Sequence, residues 1–146
     1  MNKLEFLSEI KSRGAILLPV ASDRALELAQ SALQQMRAAM LPMDLLDLYK
    51  HDAGGIILGD ATIFGPMEQD RAKALYAVPS IVQINREING IPGMRGRTVF
   101  GRNALFWFGF DAFGACYMLD ILTLAPLRKY EDIYKAMMDC LAVGKI

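Results

Sequence analysis

The sequence predicts an α+β domain, an antiparallel sheet with helices packed against it. Three observations carry this. Helix-period segments fill the first part of the chain and its end, while short apolar segments with tight connections cluster between residues 98 and 124. Those connections, Arg102-Asn103 and residues 110–114 among them, are too short for crossover helices, so neighbouring strands must be antiparallel. Strands gathered in one block, with helices before and after, belong to α+β rather than to alternating α/β proteins. The third observation is size. The chain has 146 residues, 53% of them apolar, which suits a single domain over residues 1–146. Such a chain buries about 68–70% of its unfolded surface, enough for a core without staples.

Residues 2–12 predict a short amphipathic helix with Leu4, Phe6, Leu7 and Ile10 on its inner face, broken at Gly14. Residues 15–18 read as extended before Pro19. Ser22 suits the N-cap of a longer helix reaching about residue 39. Its stripe is Leu26, Ala29, Leu33, Met36 and Met40, with Ala25, Ala32 and Ala39 as a small-residue second face. Pro42 fits the first turn of the next helix, over 42–52, where its missing N–H is not needed. Leu41, Leu45, Leu48 and Tyr49 form one face of it. Gly54 and Gly55 are expected to end it, because glycine takes the left-handed conformation without a Cβ clash.

Ile56-Ile57-Leu58 and Ala61-Thr62-Ile63-Phe64 then read as two short strands, joined at Gly59-Asp60 and closed by Gly65-Pro66. Residues 65–79 are the least patterned, an exposed and mobile connection with a helical turn at 71–76. Ser80 and Gln83 have capping-box spacing, and Ile81, Ile84 and Ile88 give the following helix its inner face, stopped by Asn89-Gly90. Residues 89–97 read as a loop. Strands are expected at 98–101, 104–109, 115–119 and 121–124, with Pro126 ending the sheet. Tyr130, Ile133, Met137, Cys140 and Leu141 form the face of a last helix, stopped at Gly144.

The stretch from residue 41 to residue 65 links one helix to the start of the sheet. Its Leu41-Pro42, Leu45, Leu48-Tyr49, Gly54-Gly55 and Ile63-Phe64-Gly65 resemble the signature of the SUKH superfamily, the Smi–Knr type domain. Among its members the chain is most similar to the YrhA-like bacterial ones. The resemblance runs over most of the chain. It implies a twisted sheet of about five or six strands with helices against it. It also implies a function, since SUKH-type proteins of bacteria act largely as immunity proteins. These neutralise a cognate toxin by binding it. The signature positions are packing and turn residues, so they imply scaffold rather than contact or catalytic roles.

Composition narrows the partners. Lysine plus arginine and aspartate plus glutamate number 16 each, so the formal charge is zero. The halves differ little: residues 1–73 carry eight basic and ten acidic side chains, residues 74–146 eight and six. That asymmetry does not predict nucleic-acid binding. Neutrality also speaks against a nuclease as the toxin. The longest apolar run, residues 104–110, is strand-sized, far short of the ~20 residues of a membrane span. Glu5 and Glu9 interrupt the N-terminal stretch where a signal peptide needs an apolar core. The expectation is a cytoplasmic protein whose Cys116 and Cys140 are free and buried.

Motifs for chemistry are sparse. His51, the single histidine, sits at a predicted helix end, where a cation suits the helix dipole. Neither a G-x-S-x-G elbow, a P-loop, a dinucleotide fingerprint nor an acidic calcium loop occurs. Cys116, Cys140 and His51 lack zinc-ligand spacing. Nothing in the spacing of Asp60, Tyr76 or Asp111 supports an enzyme site. The chain is therefore read as a non-enzymatic binding module without a cofactor. Asp44, Asp47, Asp52 and Asp60 surround the key stretch; Asp44 and Asp47, three apart, face away from the leucine stripe and read as solvated, available to a basic partner.

Two features point to a partner. Arg95 and Arg97, with Arg102 nearby, form the one basic cluster, read either as a polar loop or as a contact for phosphate or an acidic protein surface. Residues 105–113 hold Leu105, Phe106, Trp107, Phe108, Phe110 and Phe113. Strand alternation sends 105 and 107 to one face and 106 and 108 to the other. One face can pack on helices; the second is either covered by loops or exposed as an interface. The candidate contact residues are Trp107, Phe110, Arg95, Arg97, Arg102 and Asp60, and the candidate partners a protein toxin or a second copy of the chain. A regulatory adaptor, or a nucleic-acid or phospholigand binder using the arginines, is the alternative.

Overall fold

The computed structural model describes residues 1–70 and 77–142. Helix α1 (Lys3–Ser12) leads through β1 (Ile16–Leu17) into α2 (Asp23–Gln35) and α3 (Met43–His51). The hairpin β2 (Ile56–Leu58) and β3 (Ala61–Ile63) follows, then a ribbon of β4 (Gln69–Asp70) and β5 (Ala77–Val78). After α4 (Ile81–Ile88) and a 3-10 turn (Pro92–Met94) come β6 (Arg97–Arg102), β7 (Phe106–Asp111), β8 (Cys116–Asp120) and β9 (Pro126–Tyr130). Helix α5 (Ile133–Ala142) completes the described chain. The main sheet has seven strands in the order β1-β2-β3-β6-β7-β8-β9, antiparallel at every pairing. The class is α+β, as expected, with more strands than the five or six implied by the resemblance.

The helix starts follow their caps. The Ser22 hydroxyl accepts from Ala25 N, and Ser80 and Gln83 exchange both bonds of a capping box. Three helical details differ from expectation. Leu4 is 75% exposed, leaving Phe6, Leu7 and Ile10 as the buried face of α1. Helix α2 ends at Gln35 rather than near residue 39, because Arg37 turns left-handed at φ 58° and Met40 is carried to the surface. Pro42 is the N-cap of α3 rather than a residue of its first turn.

Gly54 and Gly55 have a different role from the expected left-handed helix stop. Asp52 caps α3 with an ordinary negative φ. A Cβ on Gly54 would lie 2.1 Å from the Pro19 carbonyl oxygen, and one on Gly65 would lie 1.7 Å from that of Gly54. These glycines let three backbone segments cross. Tyr49, wholly buried, ties the crossing together. Its carbonyl accepts from Ala21 N at 2.8 Å and its hydroxyl donates to the Phe64 carbonyl. Burial pushes that phenol far above the ordinary tyrosine range, so it stays a neutral donor. The signature residues of the 41–65 stretch are thus the joint between helix and sheet.

Within residues 65–79, Gly65 and Pro66 are buried and β4 pairs with β5, where an exposed connection was expected. The helical turn read at 71–76 lies outside the described residues, as does the stop at Gly144. The loop over 89–97 contains the 3-10 turn. The largest correction concerns residues 121–130. Residues 121–124 form a turn rather than a strand. Asp120 Oδ1 accepts from Leu122 N and Thr123 N, at 2.8 and 2.9 Å, and Leu124 is left-handed at φ 59°. Pro126 then opens the last strand instead of ending the sheet. At the first residue of an edge strand its missing N–H costs no ladder bond. Tyr130 consequently ends β9 and does not belong to α5.

Helix α5 packs across the inner face of the sheet, α1 packs on α5, and α4 joins α2 to β6. Phe108 and Phe110 of β7, Cys116 of β8 and Met137 and Cys140 of α5 are buried in one core with Phe6, Ile56 and Ile63.

Candidate functional site

A bulge in β6 shapes the opposite, outer face. Val99 pairs with Gly109 and Gly101 pairs with Phe108, which leaves Phe100 as an extra residue on β6. Without it, Arg97 and Arg102, five positions apart, would point to opposite faces. With it, both lie outward. Arg97 sits over the Tyr117 ring at 5.4 Å and Arg102 over the Trp107 ring at 5.1 Å. Phe100 turns inward and stacks on Phe110, their centroids 6.0 Å apart.

Trp107 is half-buried and its indole N–H donates to Ile121 O at 3.1 Å, so its plane is held by the turn after β8. Tyr117 is half-buried and donates to Asp111 Oδ2 at 3.3 Å. Lys129 of β9, paired with Tyr117 in register, extends the basic edge. Val99 and Leu119, on the same face, are wholly buried. The 3-10 turn packs on β6, and a Cβ on Gly93 would lie 2.9 Å from Thr123 O, so the two loops meet. Burial of Met94 and Leu124 marks those loops as a cover. Loops therefore close the middle of the outer face and leave two arginine-capped aromatics at its margin. Leu105, two positions before Trp107, and Leu127 of β9 are each more than half exposed.

The predicted contact residues divide. Trp107, Arg97 and Arg102 stand together on this face. Phe110 is 0% exposed and lies on the inner face, sharing the parity of Phe108, which removes it from any contact surface. Arg95 is exposed just before β6. The three arginines do not form one cluster: Arg97 and Arg102 are at opposite ends of β6, roughly 16 Å apart at about 3.3 Å per residue. Asp60 is exposed at the β2–β3 turn, where Gly59 supplies the positive φ of 60° at the first turn position. Asp60 and Arg102 line one shallow pocket of about 340 Å³, with Thr62 and Asn103, floored by Ile57 and Val78. Asn103 is already occupied: its Oδ1 accepts from Leu105 N and Phe106 N, and its Nδ2 donates to Cys140 O.

Elsewhere the polar groups serve the fold. Lys3 bridges Asp47 at 2.6 Å and Asp52 at 3.0 Å, so Asp47, read as solvated, is tied to α1 together with Asp52. The Lys3 bond holds the Asp47 carboxyl below its usual range. His51 is exposed, 3.8 Å from Asp47. Asp111 Oδ1 accepts from Phe113 N and Ala115 N and so shapes the β7–β8 turn. Tyr76 lies outside the described residues. Cys116 and Cys140 are free and buried, as expected, and burial raises both thiols, Cys116 to about 12. Among the described residues no three metal-ligating side chains stand together, and no helix is long and apolar enough to cross a membrane.

Sequence reasoning missed Asn85 and Thr98, both buried. Asn85 bonds both backbone groups of Val99 beside the bulge, and the Thr98 hydroxyl donates to Ala39 O at 2.6 Å. Asn85 lies one position after Ile84 on the buried side of α4, a weak signal without the partner strand. Compared with known families and with curated proteins, the chain matches no family model and no curated protein.

Proposed function

We propose that this chain is a non-enzymatic protein-binding module, and specifically a cytoplasmic immunity protein that neutralises a cognate bacterial toxin by covering its active surface. The observation that carries the binding reading is the outer face. Two aromatic rings are held half-buried under guanidinium groups beside exposed leucines. Trp, Tyr and Arg are the residues that dominate interface energies, and rings locked in place lose little entropy on binding. The toxin-directed part of the reading draws on the resemblance of residues 41–65 to the SUKH signature. In this mechanism the sheet supplies a preformed surface, Trp107 and Tyr117 act as anchors, and the toxin is inhibited by occlusion.

The test is capture and rescue. The tagged chain is used to capture partners from lysate of its source cells, and the stoichiometric partner is then expressed in a host. Growth arrest by that partner, relieved by the wild-type chain and not by a folded Trp107→Ala variant, is the expected result. A turnover reaction of the purified chain that a point substitution abolishes would overturn the reading, as would a partner whose toxicity the chain leaves untouched.

A further inference from the structure

From the charge of the outer face we infer that the partner it receives is a protein surface rich in carboxylates, and not a second copy of this chain or a nucleic acid; this rests on the binding reading above. Arg97, Arg102 and Lys129 all face outward there. None of the three has a carboxylate within ion-pair distance among the described residues, whereas Lys3, Lys50, Arg128 and Lys135 each do. Those four cations are engaged within the fold, and the three on this face are not. Each guanidinium carbon lies over its ring, and among the described residues the N–H groups make one hydrogen bond, from Arg97 to Gly93 O. A guanidinium with free N–H groups suits a carboxylate in two-pronged geometry.

The same set excludes the other occupants. A two-fold pairing of this face with itself would gather three cations from each copy in one interface, where like charges are costly. Edge-to-edge pairing through β9 is opposed by Pro126, by the register shift beside Leu119 and by exposed Lys129. A polyphosphate would gain nothing from exposed Leu105 and Leu127, and would meet the Asp60 carboxylate beside Arg102. An acidic protein surface satisfies all of these. Its carboxylates reach Arg97, Arg102 and Lys129, apolar groups cover the leucines, and a donor can reach Asp60 in the pocket.

Trp107 is the single tryptophan, so its emission reports on this face alone. The full chain is titrated with a random glutamate–tyrosine copolymer, and in parallel with oligothymidylate of equal total charge. The copolymer is expected to shift Trp107 emission and to bind more tightly than the oligonucleotide. Its affinity should fall steeply between about 0.01 M and about 0.1 M salt, where the screening length drops from about 30 to about 10 Å. Arg102→Gln and Arg97→Gln should each weaken it about ten-fold, the loss of one charge-assisted contact, while Arg24→Gln on α2 changes nothing. Unchanged Trp107 emission, or affinity indifferent to Arg97 and Arg102, overturns the inference. So does oligothymidylate binding as tightly as the copolymer. Toxin neutralisation is read separately. If it survives both arginine changes but is lost with Trp107→Ala, the acidic-partner inference fails while the immunity reading stands.

Discussion

Asn85→Ala is the substitution that most directly tests how the outer face is built. Asn85 is 2% exposed. Its Nδ2 donates to Ile81 O at 2.7 Å and to Val99 O at 2.8 Å, and its Oδ1 accepts from Val99 N at 2.8 Å. On that edge β6 has no strand partner, because β3 pairs only with Gly101 and Arg102. The side chain therefore stands in for a neighbouring strand where the bulge begins. Alanine would leave the Val99 N–H and carbonyl buried and unpaired, at about 1–3 kcal/mol each. The higher helix propensity of alanine offsets up to ~0.7 kcal/mol. The net loss comes to about 3 kcal/mol. With a urea slope of about 2 kcal/mol/M, the unfolding midpoint should fall by about 1.5 M. By thermal scan the loss is about 10 °C for a domain of this size. A midpoint shift under about 0.5 M, roughly 1 kcal/mol at that slope, would refute the argument, since a bulge able to relax or take up water would need no Asn85.

Three further outcomes follow from the same structure. Gly65→Ala would drive a Cβ into the Gly54 carbonyl and should prevent accumulation of folded protein, whereas Gly90→Ala, with nothing within 4 Å, should stay within about 0.5 kcal/mol of wild type by urea titration. Asp47 is held below its ordinary value of 3.8 by Lys3, so its contribution is present above that value and lost as pH falls through the lower folded one. Lys3→Met should accordingly flatten the fall of the urea midpoint below about pH 4; an acid limb identical to wild type would show that the bridge does not couple to folding. Cys116 and Cys140 are buried, with both thiols raised, so a thiol reagent near pH 8 should label neither in the native protein and both in urea. Rapid native labelling of either would contradict that burial.

Much of the fold was legible because it is local. Ser22 and the Ser80–Gln83 box announce helix starts within four residues, and Gly59-Asp60 announces a turn. Leu45, Leu48 and Tyr49 mark their buried face by spacing alone. The site was legible only in part. Alternation along β7 separates Trp107 from Phe108, and the same parity already consigns Phe110 to the core. The strand at 126–130 was not legible, since its start is a proline and four of its five residues are exposed. An apolar 121–124 outcompeted it on composition, while the Asp120 turn that decides the matter depends on bonds to Leu122 and Thr123.

The sequence by itself determined the α+β class, the antiparallel block, the helix starts at Ser22 and Ser80 and the buried face of the helix over 42–52, because periodicity, capping and turn formation involve residues a few positions apart. The tertiary structure alone decided that Arg97 and Arg102 share a face, that Phe100 is the residue left over between them, and that Asn85 holds that edge in place of a strand. Each of these turns on a contact between two different elements of the chain. One extra residue in a strand reverses the facing of everything beyond it, and only the partner strand reveals where that residue falls.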